Sequence, residues 1–523
     1  MLTARDTLID SIREPNKVWD FIVVGGGATG LGVALDAASR GYQTLLLEQA
    51  DFAKGTSSRS TKLVHGGVRY LAQGDIGLVR EALRERGLLL RNAPHLVKNV
   101  AFIIPCYSWW DKVLYSLGLA VYDLLAGRLS FGKTRRISKK ETIERLPGID
   151  PKGLRGGVIY HDGQFDDSRL AINLAQTCLE QGATVLNYFK VIGLKKSGAR
   201  ISGVTAEDIE TGTSYQLRGN AIINATGVFV DDLLQMDSPG KKRLVKPSQG
   251  VHVVLDQSFL PTHDALMIPK TDDGRVLFAV PWHDKLVVGT TDTPLKQHSL
   301  EPVARESEID FILKTAARYL TKVPEHKDVL SVFAGLRPLA APQDESSKTK
   351  EISRSHKIIF SESGLITITG GKWTTYRKMA EDTVDRAIEI AGRKPLPCKT
   401  KTLPIHGHTR TSDWDDHLYV YGSDREKVLG LVKENMELGE RLHPAYDYLQ
   451  AEVAWAVRNE MARTVEDVLA RRVRLLFLDA DAAIEAAPLT AKLMANELGN
   501  DTAWEKEQVA AFTKLAQSYL LHS

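Results

Sequence analysis

Residues 21–24 (FIVV) form a short apolar, largely β-branched run, the pattern of a strand buried on both faces. Over 28–40, small and apolar side chains (Leu31, Val33, Ala34, Ala37, Ala38) recur at helical spacing. A second apolar run follows at 44–47 (TLLL). Strand, helix, strand is therefore the predicted start. A charged helix is expected over 76–91, a strand from about 157, a helix near 168–181 and a strand at 184–187. Residues 217–226 read as a strand running through AIINAT into a small-residue turn. Alternation at 251–255, 276–280 and 286–290, with turns at DDG and HD, predicts an antiparallel sheet. Strand pattern returns over 358–368, and a helix is expected over 374–391. The stretch RKPLPCKTKTLP (393–404) reads as a linker. Beyond it the chain is charged and helix-rich.

The order of these elements implies an α/β fold with a Rossmann-type domain whose late strands (217–226, 358–371) are separated by a β-rich insertion. A nicotinamide dehydrogenase more often completes that domain in one piece. An interruption suits a flavoprotein with a substrate cap. The expected division is a discontinuous Rossmann-type domain within 18–400 (about 18–100, 155–235 and 355–395), which would be the FAD-binding domain if the chain is such a flavoprotein, inserted substrate segments (about 101–150 and 236–354), and a C-terminal helical domain, 405–523.

Gly25-Gly26-Gly27-Ala28-Thr29-Gly30 matches G-x-G-x-x-G directly after the first strand. Gly25 allows the tight turn, Gly27 lets backbone approach a pyrophosphate, and Gly30 lets the helix pack close. The helix start offers free N–H groups and a positive dipole end to an anion. Glu48, at the end of the second strand, is placed to accept from ribose hydroxyls. The motif alone is weak; its strand–helix–strand–acid setting points to a dinucleotide.

The bulk properties narrow the rest. The chain has 523 residues, long enough for two or three domains. Net charge is +3, which gives no reason to expect nucleic acid. Cys106, Cys178 and Cys398 are too far apart for a metal cluster or a disulfide framework, as in a reducing compartment. Residues 1–20 show no apolar signal core, and no run reaches the length of a spanning helix. No calcium loop motif occurs near the C-terminus, so no metal is expected.

One stretch stands apart. In 101–127 (AFIIPCYSWWDKVLYSLGLAVYDLLAG) Leu114, Leu117, Val121, Leu124 and Leu125 share a helical face, with Trp109, Trp110, Tyr115 and Tyr122 beside them. Lys133, Arg135, Arg136, Lys139 and Lys140 follow. Apolar face, aromatics and cations suit a helix lying in a membrane interface; a core helix followed by a solvated basic loop fits the pattern equally well.

FIVVGGGATG, LLLE, TSSRSTKLVHGGVRYL, NATG, GTTDT, FAGLRPL and TGGKWTTYRKMAE together resemble the aerobic, FAD-dependent glycerol-3-phosphate dehydrogenases. These are FAD oxidoreductases with a D-amino-acid-oxidase-type substrate domain. The likeness runs over nearly the whole chain, helical tail included. It implies oxidation of sn-glycerol 3-phosphate to dihydroxyacetone phosphate, hydride passing from C2 to flavin N5 and electrons on to a membrane quinone. It also implies a peripheral, monotopic protein on the cytoplasmic face of the cell membrane, often a homodimer. Arg69, Tyr70, Arg337, Arg354 and Lys372 match positions that the family uses around substrate, and guanidinium forks suit a phosphate dianion. Arg69, Arg337 and Lys372 are the expected catalytic cations. His252, in GVHVVL, and His65 are candidate bases for the C2 hydroxyl. On the cofactor, Gly25, Gly27, Gly30 and Glu48 would hold the ADP half, and Thr56 and Ser57 the pyrophosphate or ribityl chain. Lys62, His65 and Gly66 would lie along the ring, and Val191 would meet adenine. Gly227 would allow close approach, while Gly371 and Thr374 open the last helix towards the flavin. The main rival is an oxidase on the same fold that passes electrons to oxygen. An RNA-binding flavoprotein and an amine oxidase fit less well, the first for want of charge and motif, the second because several cations suit phosphate better.

Overall fold

The computed structural model describes residues 4–68, 74–272, 274–340 and 356–521. Two sheets organise the chain. The first runs, in spatial order, Lys357–Phe360, Ile366–Thr369, Ser214–Asn224, Val18–Val24, Thr44–Leu47, Thr184–Leu186. Along this path the first pair is antiparallel and the rest are parallel, and Phe189–Ser197 and Arg200–Asp208 extend the sheet as an antiparallel hairpin on Ser214–Asn224. The central strand Val18–Val24 is buried along all but its first residue, which is why its sequence is apolar rather than alternating. Val24 is level with Leu47 on one side and Asn224 on the other, so three strands end together above the glycine loop. That edge of an open parallel sheet is where α/β folds place ligands.

The helix Ala28–Arg40 crosses this sheet as the pattern predicts, ending at Gly41 in the left-handed conformation. Gly30 is where it touches the strand: a Cβ there would lie 1.8 Å from the carbonyl oxygen of Gly25. Gly30→Ala is expected to push the helix off the sheet. Overpacking of this kind costs about 1–3 kcal/mol. The variant should therefore melt several degrees lower and purify with less flavin per chain, measured by thermal unfolding and by the ratio of flavin to protein absorbance.

The second sheet runs Thr293–Pro294, Val245–Asp256, Lys285–Gly289, Leu277–Trp282, Ala265–Ile268, Val97–Cys106, Gly156–Phe165, Leu63–Val64. Val329–Ala340 lies antiparallel along Val245–Asp256. The sheet boundaries differ from those expected at 101 and 155. Val97–Cys106 and Gly156–Phe165 pair with each other over their whole length in the second sheet. Their apolar runs fit either sheet, and only long-range pairing decides between them. The stretch 101–127 thus divides into the end of a buried strand and an 18-residue helix, Trp109–Ala126.

The C-terminal region carries the expected helices, including Gln450–Asn459, Ala480–Leu498 and Thr502–Ala516. It also carries a small hairpin, Arg441–His443 with Tyr446–Leu449. It is not a detached module. Leu475, Leu476 and Phe477 share one apolar cluster with Val254, Trp282 and Phe333 of the second sheet.

Candidate functional site

Two adjoining cavities, of about 490 and 300 Å³, open at the ends of the parallel strands and beneath the second sheet. Thr56, Pro338, Gly370, Gly371, Lys372 and Trp373 line both, so they form one continuous groove.

The larger cavity is the one that collects the residues expected to hold a dinucleotide. Gly25, Gly27, Ala28 and Thr29 line its floor, with Glu48, Val191 and Gly227 around it. Gly25 sits at φ 109°, a conformation glycine tolerates at no steric cost. Gly27 caps the helix with extended backbone and no capping side chain, leaving the helix start open to a ligand. Ser57 approaches from the opposite loop, and its Oγ accepts from the Ala28 N–H at 2.9 Å. Glu48 is half-buried, and desolvation raises its carboxyl, while the Gly26 and Ala50 N–H groups donating to it at 2.6 and 3.0 Å act the other way. It therefore braces the glycine loop as well as facing the cavity. The open helix terminus, the glycine floor and the acid beside them are a donor and acceptor set that fits the ADP half of FAD.

The smaller cavity gathers Thr61, His65, His252, Arg275, Arg337 and Thr374 with Lys372. Arg337 is held at the strand Val329–Ala340 by its neighbours in GTTDT: it donates to Asp292 Oδ1 at 3.3 Å and to Thr290 Oγ1 at 3.2 Å. Ser248 donates to the same Asp292 oxygen. Gly250 leaves room for the guanidinium, since a Cβ there would lie 2.3 Å from Arg337 Nη2. His252 is buried and stacked on Phe333 at 4.8 Å. Its Nε2 shares a hydrogen bond with Thr61 Oγ1 at 2.9 Å, and its Nδ1 has no partner among the described residues. Burial, with the charges of Lys62 and Arg337 beside it, holds the imidazole well below its ordinary pKa. It is neutral at pH 7, with one ring nitrogen available. The His65 backbone N–H donates to Thr374 Oγ1 at 3.2 Å, tying the 63–68 segment to the start of the last Rossmann helix, Tyr376–Ala391.

The cavities collect most of the residues expected from the sequence, and some lie elsewhere. Lys62 does not point along the ring position. Its ammonium is buried on Asp167 at 2.8 Å and on the Ser58 carbonyl at 2.6 Å, among the rings of Trp282, Phe333 and Phe477. Burial pushes it down to about 7 against the pull of Asp167. Gly66 turns to the other side of the same segment and donates its N–H to the Tyr122 hydroxyl at 2.8 Å. Gly30 packs helix on strand, as expected, without lining the groove. Arg69, Tyr70 and Arg354 lie outside the described residues. Thr61, Arg275 and Asp292 line the smaller cavity without having been singled out. Asp292 was present in a quoted motif. Arg275 follows a turn signal that revealed the turn and not its direction.

Comparison with known proteins agrees with this geometry. Residues 20–377 match the family model "FAD dependent oxidoreductase", and 365–508 match "C-terminal domain of alpha-glycerophosphate oxidase". The mitochondrial glycerol-3-phosphate dehydrogenase of Homo sapiens is 39% identical over 534 residues, spanning 95% of this chain and 73% of the human one. The crystal structure of the glycerol-3-phosphate dehydrogenase from Bacillus halodurans, complexed with FAD, superposes with a TM-score of 0.81 at 30% identity over 100% of both chains. The L-alpha-glycerophosphate oxidase from Mycoplasma pneumoniae shares the fold alone, with a TM-score of 0.55 at 16% identity over 73% of this chain and 97% of that one. The chain belongs to the FAD-dependent oxidoreductases and, within them, to the glycerol-3-phosphate dehydrogenase family.

Proposed function

We propose that this chain oxidises sn-glycerol 3-phosphate to dihydroxyacetone phosphate at the smaller cavity and passes the electrons to a quinone in the membrane. The observation that carries the substrate reading is Arg337, fixed by Asp292 and Thr290 in a cavity continuous with the dinucleotide cradle. FAD, when bound, supplies the hydride acceptor for C2. Arg337 presents a fork to the phosphate, with Arg275 and Lys372 adding positive charge around the same space. His252, neutral and buried, takes the proton of the C2 hydroxyl, and its stacking on Phe333 keeps the ring aimed. A cation beside that oxygen stabilises the alkoxide charge as it develops.

The acceptor reading rests on the helix Trp109–Ala126. Trp110 is 84% exposed, Leu124 79%, Leu117 67% and Leu114 65%, so the apolar face points away from the protein. Arg136 donates to Ser116 Oγ on the same helix at 2.9 Å and brings positive charge to its flank. No helix among the described residues is long and apolar enough to cross a membrane. An exposed apolar face with cations beside it suits attachment in the plane of an anionic bilayer, where a quinone is dissolved.

The test is the visible spectrum of the purified protein under anaerobic conditions. Glycerol 3-phosphate should bleach the flavin bands and glycerol should not. A soluble quinone should then restore colour faster than dissolved oxygen does. No bleaching refutes the substrate; faster return with oxygen, accompanied by peroxide, replaces the quinone reading with an oxidase.

A further inference from the structure

The loop 51–62 lines both cavities from one side, through Lys54, Gly55, Thr56 and Ser57 in the larger and Thr56, Ser60 and Thr61 in the smaller. Its other side is gripped by the C-terminal domain. Arg472 holds the buried carboxylate of Asp51 with both terminal nitrogens, at 2.7 and 3.0 Å, and Arg471 donates to the same group through Nε. Burial would raise that carboxyl, but the two guanidiniums outweigh it and hold it at about 2. Lys54 reaches Glu466 Oε2 at 2.7 Å. Asp167 takes Lys62 at 2.8 Å and Arg474 at 3.0 Å, and Lys62 in turn donates to Ser58. Arg59 lies over the ring of Tyr519, 5.9 Å from its centre.

The C-terminal side of this contact has unusual backbone. The helix widens to a π turn over Asp467–Arg472, a rare geometry that recurs at functional sites, and Arg474 then takes the left-handed conformation at φ 68°. Arg471, Arg472 and Arg474 are all buried. The apolar cluster around Leu475–Leu478 also joins the sheet to the helices. Replacing a buried ion pair by well-packed apolar residues is often neutral or stabilising, so net stability alone does not account for this cluster. The geometry fixed here is that of a cofactor loop. Ser57 is the partner of the first N–H of the glycine-loop helix, and Thr56 Oγ1 donates to the Leu336 carbonyl beside Arg337.

We propose that the C-terminal domain is a lock on the flavin: its buried arginines and Glu466 hold the 51–62 loop in the position that binds FAD, so that docking of the domain and binding of FAD strengthen each other. Such coupling is reciprocal. A domain that tightens the cofactor is itself held down by the cofactor.

The experiment uses the full-length protein with and without FAD. Glu466→Gln removes the carboxylate charge that Lys54 meets at 2.7 Å and Arg471 at 2.7 Å, leaving Lys54 only its longer contact with Glu301 at 3.6 Å, at a side chain that is 16% exposed, so the core stays filled. The FAD dissociation constant, from fluorescence titration of the apoprotein, should rise about tenfold, the scale of truncating one partner of a close charge pair. Arg474→Met should weaken FAD more than Arg474→Lys, which keeps the charge on Asp167. In the unmodified protein, FAD should slow tryptic cleavage at the exposed Arg393 and Lys399 of the linker about tenfold. An unchanged dissociation constant in Glu466→Gln, with apo and holo forms melting lower by the same amount, overturns the proposal in favour of plain interdomain packing. So does a cleavage rate that ignores FAD, a result that stands even if a variant fails to fold.

Discussion

Arg337→Ala is expected to lower kcat/KM for glycerol 3-phosphate about a thousandfold while the protein stays yellow. Hydrogen bonds to charged groups contribute about 1.5–3 kcal/mol each, and a guanidinium fork makes two to a phosphate. Losing both sums to about 3–6 kcal/mol, and a thousandfold lies inside that range. The residue lines the smaller cavity and not the cradle of the ADP half, so flavin content should hold. Its removal leaves Asp292 buried without its cation, with Ser248 still donating to it, so some loss of thermal stability will accompany the loss of activity. Arg337→Lys separates the two effects. It keeps the charge beside Asp292 and gives up the fork, so stability should return while most of the catalytic loss remains. Anaerobic bleaching titrations together with thermal unfolding read both quantities. A fully active, normally yellow alanine variant would remove Arg337 from the site.

How much of this was legible in the residues depends on the range of the interactions concerned. The glycine loop was, because its chemistry is local: a turn, a close approach and a helix start all fall within a dozen residues. The helix Ala28–Arg40 and the strand Thr44–Leu47 lie at the residues their periodicity marks. Arg337 could be picked out because its segment resembles one the family uses around substrate, and His252 because an imidazole in an apolar strand is a candidate base. The membership of Gly156–Phe165 in the second sheet could not, since an apolar run carries no label for its partner. Lys62 shows the same limit in a side chain. The family resemblance put it along the ring, but Asp167, over a hundred positions away, together with Arg474 from the C-terminal domain, set its direction. The charge lattice at Asp51 is invisible for the same reason: its arginines arrive from the far end of the chain.

Replacing Leu114, Leu117 and Leu124 by Ser should release the protein from lipid vesicles without disturbing its fold. These side chains are exposed and repeat at i, i+3 and i+10 along Trp109–Ala126, one stripe of the helix. The buried stripe of the same helix does other work: Leu119 and Tyr122 pack against Phe102 and Tyr160, and the Tyr122 hydroxyl donates to Asp162 at 2.7 Å. The two stripes can therefore be changed separately. Burying a leucine side chain in an apolar phase gains about 1.5–3 kcal/mol. At an interface part of each side chain stays wet, so about 1 kcal/mol apiece is a fair scale, and three together change partitioning by about a hundredfold. Surface substitutions of this kind normally move stability by about half a kcal/mol or less, so melting temperature and flavin content should match the parent protein. Co-sedimentation with vesicles containing anionic lipid gives the partition coefficient directly. Added salt should weaken binding in parent and variant alike if Arg135, Arg136 and Lys140 contribute through screened attraction, because the variant keeps those charges. Undiminished vesicle binding by the triple variant would mean that the apolar stripe is not the attachment face. It would also take away the reason for expecting the electrons to leave through a quinone at that surface.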